Sequence, residues 1–499
     1  GMTAEEMESN LGVIAKSGSL AFKKDLDAAE KDKADIDVIG QFGVGFYSAF
    51  MVASKVTVIS RAYGQETANR WESEGADGYT VTPCEKETVG TDVILTMKSD
   101  TEDDCYSVYL MPWKIQELVK KYSDYVRWPI RTDVETTEKY KTGEVDEAGI
   151  QKMGVRTVTK EEVVNSMIPI WQRSKKEASD ADCIAFYKEK FKDTEDPVSV
   201  IRVNAEGTVS YRAMLFVPAK APYDYYTRDY VPGLRLYSNG VMIMEKCPDL
   251  LPECFRFVRG IVDSPDLSLN ISREMLQHDR QLKLISMNLE KKIKGELSRL
   301  MECDREKYEK FFNVFGTQLK YGIIGDYGMK RDLLTDLLLY RSAEKEKLVS
   351  LREYVDAMPE NQKYIYYATA ETPERAAKLP QTEQVRAKGF DILCFSTDAD
   401  EFVAEILGSY AEKKFCNVCS QDLGLESDEE YKPLTDFVKE TLGDAVANVK
   451  ISRKLKNYAV CLSVEGGITL EMERYFHAMP GADPNAMRAQ RVLELNLDH

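Results

Sequence analysis

Three glycines within six residues, Gly40, Gly43 and Gly45, stand directly ahead of the apolar, helix-compatible run 46–52. Without a Cβ, glycine lets backbone N–H groups approach an anion closely, and the unpaired amides and dipole of a helix start then hold the negative charge. The pattern is a candidate phosphate cradle; taken alone, it is also what an ordinary turn feeding a helix looks like. No β-strand run precedes it and no Lys-Ser/Thr pair follows, so neither the dinucleotide fingerprint nor the P-loop fits. Downstream, residues 55–60 and 91–97 are β-branched and partly alternating, with Gly75, Gly78 and Gly90 punctuating the stretch between them. The order predicts helices layered on a mostly antiparallel sheet.

A chain of 499 residues divides into roughly three domains at about 150 residues each. Its net charge of −17 argues against a nucleic-acid partner, because such binders present a basic face. No run reaches the roughly 18 apolar residues that a membrane span needs, and the first residues do not read as a signal peptide. The ten cysteines have no framework spacing. The nearest pair, Cys416 and Cys419, is a lone C-x-x-C without a second pair or a nearby histidine, which reads as reduced, buried thiols. With only His278, His477 and His499 present, metal and histidine chemistry lose support.

Helical spacing of Leu110, Ile115, Leu118, Val119, Tyr122 and Val126 closes a first unit, residues 1–130. Residues 131–159 are polar, acidic and glycine-punctuated, too poor in apolar side chains for a core, and read as a linker. A second unit, 160–422, is mixed α and β, with strands at 198–203 and 211–217 and a hairpin at 234–244 turning on Asn239-Gly240. A long helix follows, striped by Leu282, Ile285, Leu289, Ile293, Leu297 and Leu300. A helical region over 308–341 and strands at 364–368 and 391–396 come next. The charged run Glu426 to Glu430 marks a second boundary near 423–432, and 433–499 forms a third, incomplete unit.

Two distant motifs then combine: the glycine loop, and the run from Asp263 to Gln277 that contains Asn270-Ile271-Ser272-Arg273-Glu274. Together with Gly1-Met2-Thr3, Asn10-Leu11-Gly12, Gly90-Thr91, Leu250-Leu251-Pro252, Ile365-Tyr366-Tyr367 and Glu494-Leu495-Asn496, they resemble the heat shock protein 90 family of molecular chaperones in its bacterial type. The resemblance runs over nearly the whole chain. It implies an α+β multidomain fold: a partial GHKL-type (Bergerat) ATP-binding α/β sandwich, an α/β middle domain that activates the ATPase and binds clients, and a partial α+β dimerisation domain. It also implies ATP with Mg2+, a cytoplasmic homodimer, unfolded or partly folded client proteins, and no nucleic acid or membrane partner.

Residue by residue, Met2, Asn10, Phe46, Thr91 and Val93 match positions lining the adenine and ribose. The backbone of Gly43, Val44, Gly45 and Phe46 matches the phosphate contacts. Residues 10–19 match a lid in which Lys16 meets a phosphate oxygen; without the resemblance, Lys16 is a solvated lysine. Arg273 matches the arginine that reaches the terminal phosphate, and Gln277 its polar partner one turn on. Otherwise, Arg273 reads as a surface ion pair.

Gly1-Met2-Thr3 matches the end of an Asp-x-Gly-x-Gly-Met-Thr motif. The family's adenine-reading aspartate, its glutamate base and its Mg2+-binding asparagine therefore have no counterpart here, and inefficient hydrolysis by this chain is the expectation. The match at 494–499 lies before the family's last, dimer-forming helices, so the chain reads as a fragment at both ends. The stripe Ile468, Met472, Tyr475, Phe476 and Met479 is either client surface or a packed helix face. The alternative to an ATP-driven clamp is a holdase that binds unfolded protein without turnover. Sensor kinases and DNA-acting ATPases of the same nucleotide fold fit less well, lacking a phosphoacceptor-histidine helix and a basic surface respectively.

Overall fold

The computed structural model describes residues 1–14, 45–145, 151–265, 267, 280–419, 431–452, 455, 457–478 and 487–499. Its first helix, α1 (Ala4–Leu11), starts at a capping box in which Thr3 and Glu6 satisfy each other's backbone amides. A 3-10 turn (Gly45–Ser48) and α2 (Ala49–Val52) follow, so the run after the glycines is helical as predicted. Alternation then sets the first sheet. In β1 (Ala53–Arg61), Ala53, Val56, Val58 and Ser60 face inward. β2 (Ala68–Gly75), β3 (Gly78–Cys84) and β4 (Gly90–Met97) complete an antiparallel sheet ordered β3-β2-β1-β4. The sequence reading found β1 and β4 but took Gly75 and Gly78 as punctuation; they are the turn of a β2–β3 hairpin.

A 3-10 turn (Ser107–Leu110), α3 (Pro112–Leu118) and a π turn (Val119–Ser123) form the predicted helical stretch. Its apolar side chains are not a packed face: Leu110, Met111 and Trp113 are exposed. Two residues on, Tyr125 packs edge-on against Trp171 at 4.5 Å, within the core of the next unit. The polar stretch expected as a linker is a two-stranded antiparallel ribbon, β5 (Arg131–Val145) and β6 (Gln151–Val163). Its described side chains are exposed or half-buried, in line with a composition that builds no core.

After α4 (Asp180–Phe191) come β7 (Ser199–Ala205), β8 (Tyr211–Val217), β9 (Leu234–Ser238), β10 (Val241–Cys247) and β11 (Arg259–Asp263), ordered β10-β9-β11-β8-β7. Asn239 and Gly240, at φ 50° and 75°, close the predicted β9–β10 hairpin. A Cβ on Gly240 would lie 2.3 Å from the Tyr125 carbonyl oxygen, so this turn needs glycine for space as well as conformation. α5 (Arg280–Cys303) buries all six residues of its predicted stripe. α6 (Arg305–Ile324) places Phe311 and Phe315 against Phe257.

The helical region expected to reach 341 stops earlier. α7 (Arg331–Leu334) gives way to β12 (Leu339–Ser342), which pairs with β13 (Leu348–Ser350). Then come α8 (Leu351–Asp356), β14 (Tyr364–Thr369), α9 (Pro373–Ala376), α10 (Thr382–Ala387), β15 (Leu393–Phe395), α11 (Asp398–Leu407), β16 (Ser409–Tyr410) and β17 (Lys413–Asn417). The sheet order is β13-β12-β15-β14-β17-β16, with β14 parallel to both β15 and β17. This layer shares one buried core with α5 and α6.

The predicted boundary near 423–432 falls mostly outside the described residues. Beyond it lie α12 (Lys432–Leu442), β18 (Asn448–Ile451), β19 (Val460–Glu465), α13 (Leu470–Ala478) and β20 (Gln490–Leu495), with sheet order β18-β20-β19. On α13, Tyr475 and Phe476 pack edge-on against Phe402 of α11, so this part of the stripe is packed; Met479 lies outside the described residues. Six of the ten cysteines are buried. No described helix is long and apolar enough to cross a membrane.

Leu289→Ala empties a fully buried site, and a loss of about 2–5 kcal/mol in unfolding free energy is expected. Met287→Ala, at an exposed position of the same helix, should change it by less than about 0.5 kcal/mol. Urea midpoints at constant slope read both; equal losses would contradict the assigned face.

Candidate functional site

The inward face of the first sheet gathers several of the residues picked out in the sequence. The Met2 amide donates to Ser60 Oγ at 2.6 Å, and Ser60 Oγ lies 2.7 Å from Thr91 Oγ1. Met2, on the approach to α1, is thereby fixed to β4 through a hydroxyl on β1. Val93 stands two residues along β4 on the same side as Thr91, directly opposite Val58. One cross-strand row on this face runs Val81, Trp71, Val58, Val93.

Phe46 closes the other side of that row, edge-on to Trp71 at 5.4 Å between ring centroids. Tyr47 donates from its hydroxyl to the Leu11 carbonyl at 2.6 Å, fastening the end of α1 to the turn after the glycines. Burial, then the neighbouring Tyr79, raises the Tyr47 phenol above its usual range. Asn10 is half-buried on α1, between the inward Met7 and Leu11. Gly45 opens the 3-10 turn, and a Cβ there would meet nothing within 4 Å among the described residues. Gly43, Val44 and Lys16 lie outside the described residues.

Three contributors were missed by sequence reasoning: Ser60, Trp71 and Tyr47. Ser60 is fully buried and polar at an inward position of an otherwise apolar strand, a signal that alternation could have supplied. Trp71, in the same cross-strand row, has a buried indole N–H with no hydrogen-bond partner among the described residues. The exposed Val93 and the Thr91 hydroxyl two residues before it leave room for an apolar ring on β4. Among the described residues no group of three or more His, Cys, Asp or Glu is placed to hold a metal ion.

The second component begins where β11 ends. Asp263 accepts from Trp171 Nε1 at 3.1 Å and Gln172 Nε2 at 3.2 Å. Ser264 follows, its amide donating to the Tyr237 carbonyl at 3.1 Å and its hydroxyl to the Ser210 carbonyl at 2.7 Å. The chain thus leaves the sheet from a rigid, buried base. A polar cavity of ≈ 550 Å³ opens beside it, lined by Asn204, Arg212 and Asn239 among others. Arg273 and Gln277 lie outside the described residues, between this base and the start of α5.

Comparison with known proteins agrees along the full length. Residues 108–499 match the family model described as "Hsp90 protein". The chain is 52% identical to the "Chaperone protein HtpG" of Bacillus subtilis (strain 168), aligning over all of this chain and 79% of that protein. It is 51% identical to the protein of the same description from Clostridium perfringens (strain 13 / Type A) and 50% identical to that of Alkaliphilus oremlandii (strain OhILAs), with the same coverage.

Ser60→Ala removes the acceptor for Met2 and the partner of Thr91. A cost of about 1 kcal/mol per lost bond is expected, seen as faster amide exchange at Met2 and along β4. Tyr63→Ala, at an exposed position just beyond the same strand, should leave both unchanged; indistinguishable exchange in the two variants would contradict the arrangement.

Proposed function

The chain belongs to the Hsp90 protein family and is an Hsp90-type molecular chaperone, and on that premise we propose that ATP with Mg2+ is taken on the inward face of the first sheet and that the full-length protein works as an ATP-driven clamp on unfolded or partly folded clients, this chain itself hydrolysing ATP inefficiently. The observation that carries this reading is the Met2–Ser60–Thr91 knot beside exposed Val93, in which buried Ser60 fixes the exposed Thr91 hydroxyl next to an open apolar strand. Met2, Asn10, Phe46, Thr91 and Val93 would hold the base and ribose. The backbone of Gly43, Val44, Gly45 and Phe46, with Lys16, would hold the phosphates. Bound ATP would supply the free energy of its hydrolysis; Arg273, with Gln277 beside it, would stabilise charge on the terminal phosphate.

The proposed division is a partial nucleotide-binding unit (1–130), a connecting stretch (131–159), a middle unit that receives clients and supplies Arg273 (160–422) and a partial dimerisation unit (433–499), the full-length protein being a cytoplasmic homodimer. A second reading, a holdase without turnover, draws on the exposed Leu110, Trp113 and Phe437, since apolar surface is what captures unfolded chain.

Equilibrium binding of ATP and ADP to the whole chain and to Arg273→Ala tests the first reading. A contact with the terminal phosphate should favour ATP in the parent, and its loss should lower that preference about tenfold or more while leaving ADP affinity unchanged. An unaltered ATP-to-ADP ratio would refute the role given to Arg273. Suppression of client aggregation that is indifferent to ATP would favour the holdase.

A further inference from the structure

We propose that the crevice outside the carboxyl ends of β14 and β17 binds a small amphipathic anion, an apolar body with one carboxylate head. The reasoning starts from topology. From β14 the chain crosses to β15 on one side, and by way of α11 and β16 it returns as β17 on β14's other side. Open α/β sheets take ligands outside the carboxyl ends of their strands at the point where the connections part. The crevice lies there: Thr369 and Ala370 border it from the end of β14, Asn417 and Cys419 from the end of β17. Val464 of β19 and Leu470 of α13 close it from the last unit, giving a volume of ≈ 460 Å³. That size suits a small molecule, for which sites run from about 300 to 1,000 Å³.

The polar groups around it decide the ligand's chemistry. At the base, Glu401 is only 2% exposed and accepts from Asn417 Nδ2 at 3.2 Å and from the hydroxyls of Thr369 and Thr469. Burial raises its carboxyl above the ordinary value, against the lowering effect of the two threonine hydroxyls. With these groups satisfying one another, the remaining wall is mainly apolar. At the rim, Arg375 and Arg474 are paired with Glu371 and Glu471. Lys378 lines the same crevice, is exposed, and has no ion-pair partner among the described residues. The lining carries three cations and three carboxylates, but Glu401 is engaged at the base, so at the rim Lys378 is the cation that an anionic head over an apolar body completes. This inference is independent of the nucleotide reading, since no residue is shared.

Calorimetric titration of the whole chain with decanoate and, in parallel, decanol provides the test. Decanoate should bind one per chain, with a dissociation constant below about 1 mM. Lys378→Glu should weaken decanoate about tenfold and leave decanol unchanged, while Ala370→Trp, which fills the crevice, should abolish both. Should Ala370→Trp fail to fold, Leu470→Trp fills the crevice from the opposite wall. Absence of binding, or decanoate binding indifferent to both substitutions, overturns the site. Equal affinity for decanol and decanoate overturns the anionic head.

Discussion

A sheet face that must be covered, and is covered only in part, governs the first unit. Alternation turns Val56, Val58 and Ser60 of β1 inward, and α1 with Phe46 shields β1 and β2. Beside them Val93 and Leu95 of β4 remain 54% and 37% exposed. Water contact on a β-branched strand of this kind is unfavourable, at roughly 25 cal/mol per Å² of apolar surface. A flat ligand laid there would recover part of it, while the exposed Thr91 hydroxyl, fixed by Ser60, gives such a ligand orientation. The proposed nucleotide function rests on that combination of uncovered apolar strand and few, fixed polar groups.

The units beyond are tied by buried polar links rather than by apolar contact alone. Asp263 gathers Trp171 and Gln172 at the end of β11. Lys320 of α6 meets Asp400 of α11 at 2.6 Å with both side chains buried, its ammonium also lying over Tyr340. Glu401, the next residue, joins the ends of β14 and β17 to Thr469 at the start of α13. Buried charges are costly unless paired, so such links add little net stability; removing one partner is expensive and fixes which elements sit together.

Legibility from sequence followed the range of the forces involved. The α5 stripe was readable in full because helical period and burial coincide in one segment, and Asn239-Gly240 because the turn's positive φ is a local demand. β2 and β3 escaped because charged residues such as Arg70, Glu72 and Glu74 interrupt the apolar signal, and the β5–β6 ribbon because cross-strand charge pairs, Glu138 with Arg156 and Lys160, stand where apolar alternation would be sought. Residues 339–341 read as helix because a leucine-rich run satisfies either period. Ser60 was invisible as a site residue, since its meaning depends on Thr91, 31 positions away. Arg273 was reached only through resemblance, and no local signal distinguishes it from a surface arginine.

The central claim is that nucleotide lies on the β1–β4 side of the first sheet. Hydrogen–deuterium exchange of the whole chain with and without a non-hydrolysable ATP analogue addresses it directly. Added protection is expected at residues 2–19, at 43–50, on β4 around Thr91 and Val93, and around Arg273. Protection elsewhere, with these segments unchanged at saturating analogue, would contradict it.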